Sequence, residues 1–395
     1  MREAEVLESR EIATMIKDCN LKIMTPGPVQ VRENVRMARS IKTTNPDLDL
    51  QFYEEYKETC EMFAKFLHTS GQVYILSGEG ILGLEAACAS LTEQGDRVLI
   101  IDNGLYGNGF ADFVSMYGGD VVLYKSDYKK TIDVENLREY LKNDHNFKYA
   151  TVVHNDTPSG MTNDVMAIGS LLNEFGILSV VDSVSAMGAE ELNIDEGHLD
   201  IVCGGSQKVI SAPAGLTIVA VSDRAMQAME QRKTKIASFY CNLLNFKHYY
   251  EDKWFPYTMP ISDIYGLRVA IENILEDTHI IKRHKTIANA VRLALTKGGL
   301  SLYGENGYSN AVTVFCVPDG VRDKEILAYM KEKFHIMLAG SFGMFEGKVI
   351  RIGHMGENAN VHDVKETLSA LYQTLLHFGI VLQEDFAKVF CESMK

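Results

Sequence analysis

The sequence predicts an α/β fold of two parts, a large domain built on a mainly parallel mixed sheet between helices and a smaller C-terminal α+β domain. Three observations predict it. Between about Val73 and Val221, short apolar β-branched runs alternate with amphipathic segments, as they do when parallel strands are covered on both faces. Beyond about residue 270 the pattern changes to long helical spacing and then to a strand–helix–strand order. At 395 residues the chain is longer than one hydrophobic core commonly serves, so two domains are expected.

In order, residues 72–76 read as a strand and 81–91 as a helix. Strand 97–102 precedes helix 110–117, strand 120–124 precedes helix 134–141, and strand 149–154 precedes helix 165–175. Strands 177–182, 200–203 and 216–221 complete the large domain. Helical spacing then runs over 271–300, followed by strand 311–317, helix 323–334, strands 336–339 and 348–352, and helix 361–378. Thr25-Pro26-Gly27-Pro28 fits neither a helix interior nor a central strand and reads as an ordered turn or arm. The expected organisation is an arm over 1–40, a large domain over 41–275 and a small domain over 276–395.

Composition narrows the function. Hydrophobic residues make up 46% and charged residues 23%, an ordinary globular balance, and the net charge of -14 argues against a general nucleic-acid binder. The seven cysteines (Cys19, Cys60, Cys88, Cys203, Cys241, Cys316, Cys391) are scattered without a CxxC pair, so neither a metal site nor a disulfide framework is expected. Cys88 and Cys316 lie in apolar runs and read as buried thiols. A reducing, cytoplasmic setting fits best. The charged N-terminus lacks the apolar stretch of a signal peptide, and no apolar run reaches the length of a membrane span.

Ligands of open α/β sheets bind beyond the carboxyl ends of the strands. Polar and glycine clusters fall at five such ends: Ser77-Gly78-Glu79-Gly80, Asn103-Gly104-Leu105-Tyr106-Gly107, His154 to Gly160, Asp182-Ser183-Val184-Ser185, and Ser206-Gln207-Lys208. An acid at a strand end ordinarily caps a helix, and a lysine after a strand ordinarily faces solvent. Asp182 and Lys208 together at two such ends suggest pyridoxal chemistry, which needs a lysine amine to form an imine and a carboxylate to keep the ring nitrogen protonated.

Segments 77–86, 152–160, 180–188, 204–215 and 349–356 together resemble the class V aminotransferases of fold type I, the group of the alanine–glyoxylate, serine–pyruvate and pyridoxamine–pyruvate enzymes. Ser206-Gln207-Lys208 and Arg351-Ile352-Gly353 carry the general likeness. Gly78-Glu79, His154 to Gly160 and Arg351 to Gly356 are similar to the pyridoxamine–pyruvate enzyme in particular. The resemblance implies pyridoxal 5′-phosphate held as a Schiff base on Lys208, with Asp182 at the ring nitrogen, Tyr106 stacked on the ring and Thr157 near its phenolic oxygen. It further implies Gly78, Glu79, Gly80 and Gln207 at the phosphate end, joined by Thr258 from the other subunit of a homodimer, and Arg351 on the substrate carboxylate. The Gly104 and Gly107 flanks favour an exposed loop position for Tyr106.

Two departures bear on substrate. Glu79 stands where the family offers small hydroxyl residues or glycine, and a carboxylate beside a phosphate is repulsive unless it turns away. Phe342 lies near the place where the pyridoxamine enzyme has a second arginine, and it cannot supply that charge. Phe255 also stands where relatives often have tyrosine.

The expected function is transamination from an amino donor to a small 2-oxo acid such as pyruvate or glyoxylate. The alternative is pyridoxamine–pyruvate transamination with the unphosphorylated vitamer as substrate. A cysteine desulfurase would place a histidine at Tyr106 and a catalytic cysteine on a loop. A non-catalytic scaffold would be expected to lose Lys208 or Asp182.

Overall fold

The computed structural model describes residues 21–395; the first twenty, including Cys19 and half of the expected arm, lie outside the described residues. Seven strands form the main sheet: β1 (Gln72–Ser77), β2 (Arg97–Asp102), β3 (Asp120–Lys125), β4 (Tyr149–Val153), β5 (Leu178–Asp182), β6 (Ile201–Gly205) and β7 (Leu216–Val221). Their order is β1-β7-β6-β5-β4-β2-β3. β7 runs antiparallel to both its neighbours, and the other pairs are parallel. The carboxyl ends of β1, β2, β4, β5 and β6 therefore open on one edge, which places the five polar loops side by side.

The helices cover this sheet because their apolar residues recur at helical spacing. In α1 (Leu50–Phe66), Phe52, Tyr53, Tyr56, Cys60 and Phe63 are buried, while Glu54, Lys57 and Glu61 sit on the outer side. α2 (Gly80–Leu91) is buried over most of its length, as its run of Gly, Ala and Leu requires at the middle of the sheet. α3 (Leu105–Met116) follows β2, and α4 (Val134–Asn143), whose start is fixed by Asp133 accepting the Glu135 and Asn136 amides, packs against α5 (Val165–Glu174). α6 (Asp223–Glu230) follows β7.

The expected helical stretch 271–300 is two helices, α7 (Ile261–Glu276) and α8 (Ile280–Lys297). Asp277 breaks it: its carboxylate accepts the His279 amide at 3.1 Å, a local bond that competes with helix continuation. The C-terminal part then adds β8 (Val312–Cys316) paired antiparallel with β9 (Val349–Gly353), and α9 (Asp323–Phe334), α10 (Val361–His377) and α11 (Phe386–Ser393). The strand expected over 336–339 is only Ile336–Met337, and it pairs with Lys22–Ile23. A second apolar core gathers Met24 with residues of α8 to α11 and of β8 and β9. Cys88 is buried as expected, whereas Cys316 is only partly so because it ends its strand.

Candidate active site

Each sheet loop delivers its group by a local device. After β1, Glu79 caps α2, with Oε1 accepting the Ile81 amide at 3.2 Å and Oε2 accepting Gln207 Nε2 at 3.1 Å. Gly80 must be small, because a Cβ there would lie 2.6 Å from Val184 Cγ2. After β2, Tyr106 stands in the first turn of α3 and is half-buried; it is helical rather than in the expected loop. Its amide donates to Asp156 Oδ1 at 3.2 Å, and Asp156 Oδ2 accepts Ser159 Oγ at 2.6 Å. Thr157, in the loop after β4, is buried. Asp182 ends β5, its Oδ1 accepting the Val184 amide at 2.9 Å while Oδ2 has no protein donor among the described residues. After β6, Ser206 Oγ donates to Pro213 O at 2.7 Å and shapes the turn that carries Gln207 and Lys208.

These loops line a cavity of about 90 Å³ formed by Glu79, Tyr106, Asn155, Thr157, Asp182 and Lys208, with Val184, Ser185 and Gln207 between them. A larger cleft lined by His154, Glu190, Lys285 and Asn310 contains neither Asp182 nor Lys208; the smaller cavity is the candidate site because all five loops meet there. Burial pushes the Asp182 carboxyl up to about 7, against the pull of the Val184 amide and of Lys208. Burial, with Arg351 adding to it, brings the Lys208 amine down to about 8. Buried titratable groups shifted toward neutrality in one cleft make this cavity the candidate for proton transfer.

The Lys208 amine donates to Pro26 O at 2.8 Å, across 182 positions of sequence. The Thr25-to-Pro28 turn thus forms part of the site, which the sequence marks only as an ordered turn. Gly27 has φ +100°, and a Cβ there would lie 2.3 Å from Lys208 Cδ and 2.5 Å from Nζ. Gly27→Ala is therefore expected to displace Lys208 and reduce kcat by about 10²-fold, the scale of an ångström misplacement. An unchanged kcat in a variant that melts like the parent would remove the turn from the site.

Arg351 projects from β9. Its Nε donates to Gly340 O at 2.6 Å, and among the described residues neither Nη has a protein partner. That leaves a two-nitrogen edge for a carboxylate. Its charge reaches Lys208, Tyr106 and Asp156. Thr258 is exposed and does not line the cavity of its own chain. The preceding segment packs on its own domain, with Phe255 stacked on Tyr53 at 4.6 Å and on Tyr249 at 5.6 Å.

The donor set fits a pyridine ring bearing a cationic nitrogen. Asp182 offers an unpaired oxygen in a buried place, and Asn155 Oδ1 and Gln207 Oε1 are buried without partners. A phosphate would meet the N-terminus of α2 and the Gln207 amide, provided that Glu79, exposed at the rim, turns aside. Sheet, loops and donor set together define a fold-type-I pyridoxal enzyme.

The family of class-V aminotransferases matches residues 33–344, and the chain belongs to it. It is a pyridoxal 5′-phosphate-dependent aminotransferase. The pyridoxamine–pyruvate transaminase of Mesorhizobium japonicum is 32% identical over 88% of this chain and 90% of its own. The serine–glyoxylate aminotransferase of Arabidopsis thaliana is 31% identical over 87% of this chain and 86% of its own. The ureidoglycine–glyoxylate aminotransferase of Bacillus subtilis superposes with a TM-score of 0.91 at 27% identity, over 95% of this chain and 98% of its own.

Proposed function

We propose that this aminotransferase passes an amino group from an amino donor to a small 2-oxo acid such as pyruvate or glyoxylate, with Lys208, Asp182 and Arg351 as its working residues. The observation that carries the reading is the meeting of Asp182 and Lys208 in one cavity at the carboxyl edge of the sheet. When bound, pyridoxal phosphate supplies an aldehyde carbon with which amines condense and a protonated ring that takes up electron density. Asp182 would hold the ring nitrogen, Tyr106 the ring face and Thr157 the ring hydroxyl. Gly78, Glu79, Gly80 and Gln207 would line the 5′ end together with Thr258 of the partner subunit.

Lys208, when free as a neutral amine, would accept the proton of the donor carbon on Nζ and pass it from the same side to the cofactor carbon that holds the nitrogen, ending with no net proton gained. Its lowered pKa supports this role, because an ordinary lysine near ~10.4 stays protonated at neutral pH. Arg351 holds the carboxylate common to both substrates. Incubation of the purified enzyme with alanine or serine and with pyruvate or glyoxylate, followed by chromatography of the amino acids formed, tests the reading. Arg351→Ala is expected to raise KM for the oxo acid by about 30-fold or more, the equivalent of ~2 kcal/mol for a buried charge pair. An unchanged KM would place Arg351 outside the substrate site.

Glu79 favours a second reading, in which unphosphorylated pyridoxamine is the amino donor to pyruvate. Its carboxylate already lies across the start of α2 and on Gln207, where a 5′-hydroxyl is better tolerated than a dianion. Titration calorimetry of the cofactor-free protein with pyridoxal and with pyridoxal phosphate separates the two, and tighter binding of the phosphate ester rejects the second reading.

A homodimer with shared sites belongs to the proposal. Phe239 and Tyr240 are exposed, Tyr240 stacking on Tyr257 next to Thr258, and Trp254 is exposed at the start of the same segment, an apolar surface suited to a two-fold contact. Sedimentation of the holoenzyme at low micromolar concentration is expected to give a dimer, and a fully active, cofactor-loaded monomer would refute the role given to Thr258. We also infer a cytoplasmic setting, supported by the free state of Cys60, Cys88, Cys203, Cys241, Cys316 and Cys391. Among the described residues no helix is long and apolar enough to cross a membrane.

A further inference from the structure

Tyr106 and Arg351 share a neighbour. The Phe342 ring meets Tyr106 edge-on at 6.1 Å between centroids and 74° between planes. The Arg351 guanidinium carbon lies 5.9 Å from the centre of the same ring. Phe342 is nevertheless 45% exposed, an aromatic ring turned to solvent beside Tyr106 and Arg351.

Its position is fixed from both sides. Before it, Gly340 O accepts Arg351 Nε, and the Ser341 hydroxyl is buried without a partner. After it, Phe345 is buried and packs edge-on against Tyr303 at 5.0 Å, and its amide donates to Phe342 O at 3.2 Å. The ring is thus held in place rather than left on a free loop.

The charges around it are unequal. Arg351 is the cation whose two Nη groups face no protein acceptor among the described residues, enough for one carboxylate. The other charges acting on Tyr106 are Asp182, Asp156 and Glu79, all acidic. A second carboxylate on a substrate would therefore meet an apolar ring and a surplus of negative charge; among the described residues the other cation at the cavity is Lys208, which would be taken up as the cofactor's imine. An apolar side chain would instead lie against Phe342 and remove its exposed surface from water.

We infer that Phe342 determines donor specificity, admitting amino acids with one carboxylate and an apolar side chain and turning away dicarboxylates. This rests on the reading of the site as a transaminase with Arg351 as its carboxylate clamp. The expected preference in kcat/KM for alanine, 2-aminobutyrate or valine over aspartate and glutamate is about 10²-fold, the scale on which a shaped pocket discriminates.

The test compares these donors, each with pyruvate and with glyoxylate, in the parent, Phe342→Ala and Phe342→Arg holoenzymes. Calorimetric binding of butyrate and of glutarate to each protein runs beside it. Phe342→Ala is expected to lower the preference for 2-aminobutyrate over aspartate about tenfold. Phe342→Arg is expected to reverse it and to tighten glutarate. A parent that uses aspartate as well as alanine, or a preference unchanged in both variants, overturns the inference while leaving the transaminase reading in place. If no donor reacts with the parent, the transaminase reading falls, and calorimetry still decides the inference: equal butyrate and glutarate affinities in all three proteins overturn it.

Discussion

Lys208→Ala is expected to abolish transamination, lowering kcat by about 10⁴-fold or more, the upper range for loss of a positioned general base. The argument starts from the amine itself. Burial and the Arg351 charge lower it to about 8, although Asp182 and Glu79 pull the other way. At pH 8 about half of the amine is then neutral, against roughly one part in three hundred for a lysine near its ordinary value. The Pro26 carbonyl fixes its direction. Among the described residues no second lysine lines the cavity, so none of them offers a substitute for the lost nitrogen. The protein should also lose the yellow band of lysine-bound pyridoxal, which a spectrum of the purified variant reads directly. Transamination at the parental rate in Lys208→Ala would sink the assignment. The pH dependence has a defined sign. The free lysine loses basic function as pH falls through about 8, so its proton-transfer step should slow on the acid side in single-turnover measurements.

The loops of this site are legible in the sequence because each apolar strand ends abruptly in glycine and polar residues, and because parallel strands must present those ends together. Asp182 and Lys208 follow from that rule and from the chemistry of their side chains. The sheet order is less legible. β7 is buried on both faces, so its sequence Leu-Thr-Ile-Val-Ala-Val reads like the parallel strands although it runs antiparallel between β1 and β6. Tyr106 was expected in a loop because glycines flank it. Gly104 instead caps α3, and Gly107 lies within the helix, where a Cβ would stand 2.3 Å from Asn103 Oδ1. The glycines mark close packing there, not an exposed loop.

Contacts between distant parts of the chain leave even less trace. Nothing local to Pro26 or Gly27 says that the turn will lie on Lys208, and nothing local to Phe342 says that its ring will meet Tyr106 and Arg351. Both contacts depend on how the second core is set against the sheet. The Thr25-to-Pro28 turn is held there by strand-like bonds: the Met24 amide donates to Met337 O at 2.9 Å, and the Gly353 amide to Met24 O at 2.8 Å. One short extended segment thus ties β9, which bears Arg351, to the turn that touches Lys208. A distortion of either is expected to reach the other.

Asp182→Asn is expected to retain the fold but to slow proton removal from the donor by about 10²–10³-fold, the scale of losing one preorganised charged partner. The carboxylate is useful only when ionised beside a cation, yet burial in the cofactor-free protein raises it to about 7. A cationic ring nitrogen against Oδ2 would favour the ionised form again. Asparagine keeps the shape and the capping bond to the Val184 amide but removes the charge. This gives a second readout that a merely structural Asp182 would not share. In the cofactor-free parent the native carboxyl binds its proton more tightly than the unfolded one, whose value is near ~3.9. Its contribution to stability is therefore full below about pH 4 and is lost as pH rises toward 7. Glu190, also raised by burial to about 7, acts in the same window, so the difference between parent and Asp182→Asn isolates Asp182. Melting curves from pH 4 to pH 7.5, with and without pyridoxal phosphate, should show that the cofactor-free parent loses more stability than the variant as pH rises. The cofactor should reduce that gap. Parallel curves under both conditions, together with a single-turnover rate equal to that of the parent, would return Asp182 to the role of a strand-end cap.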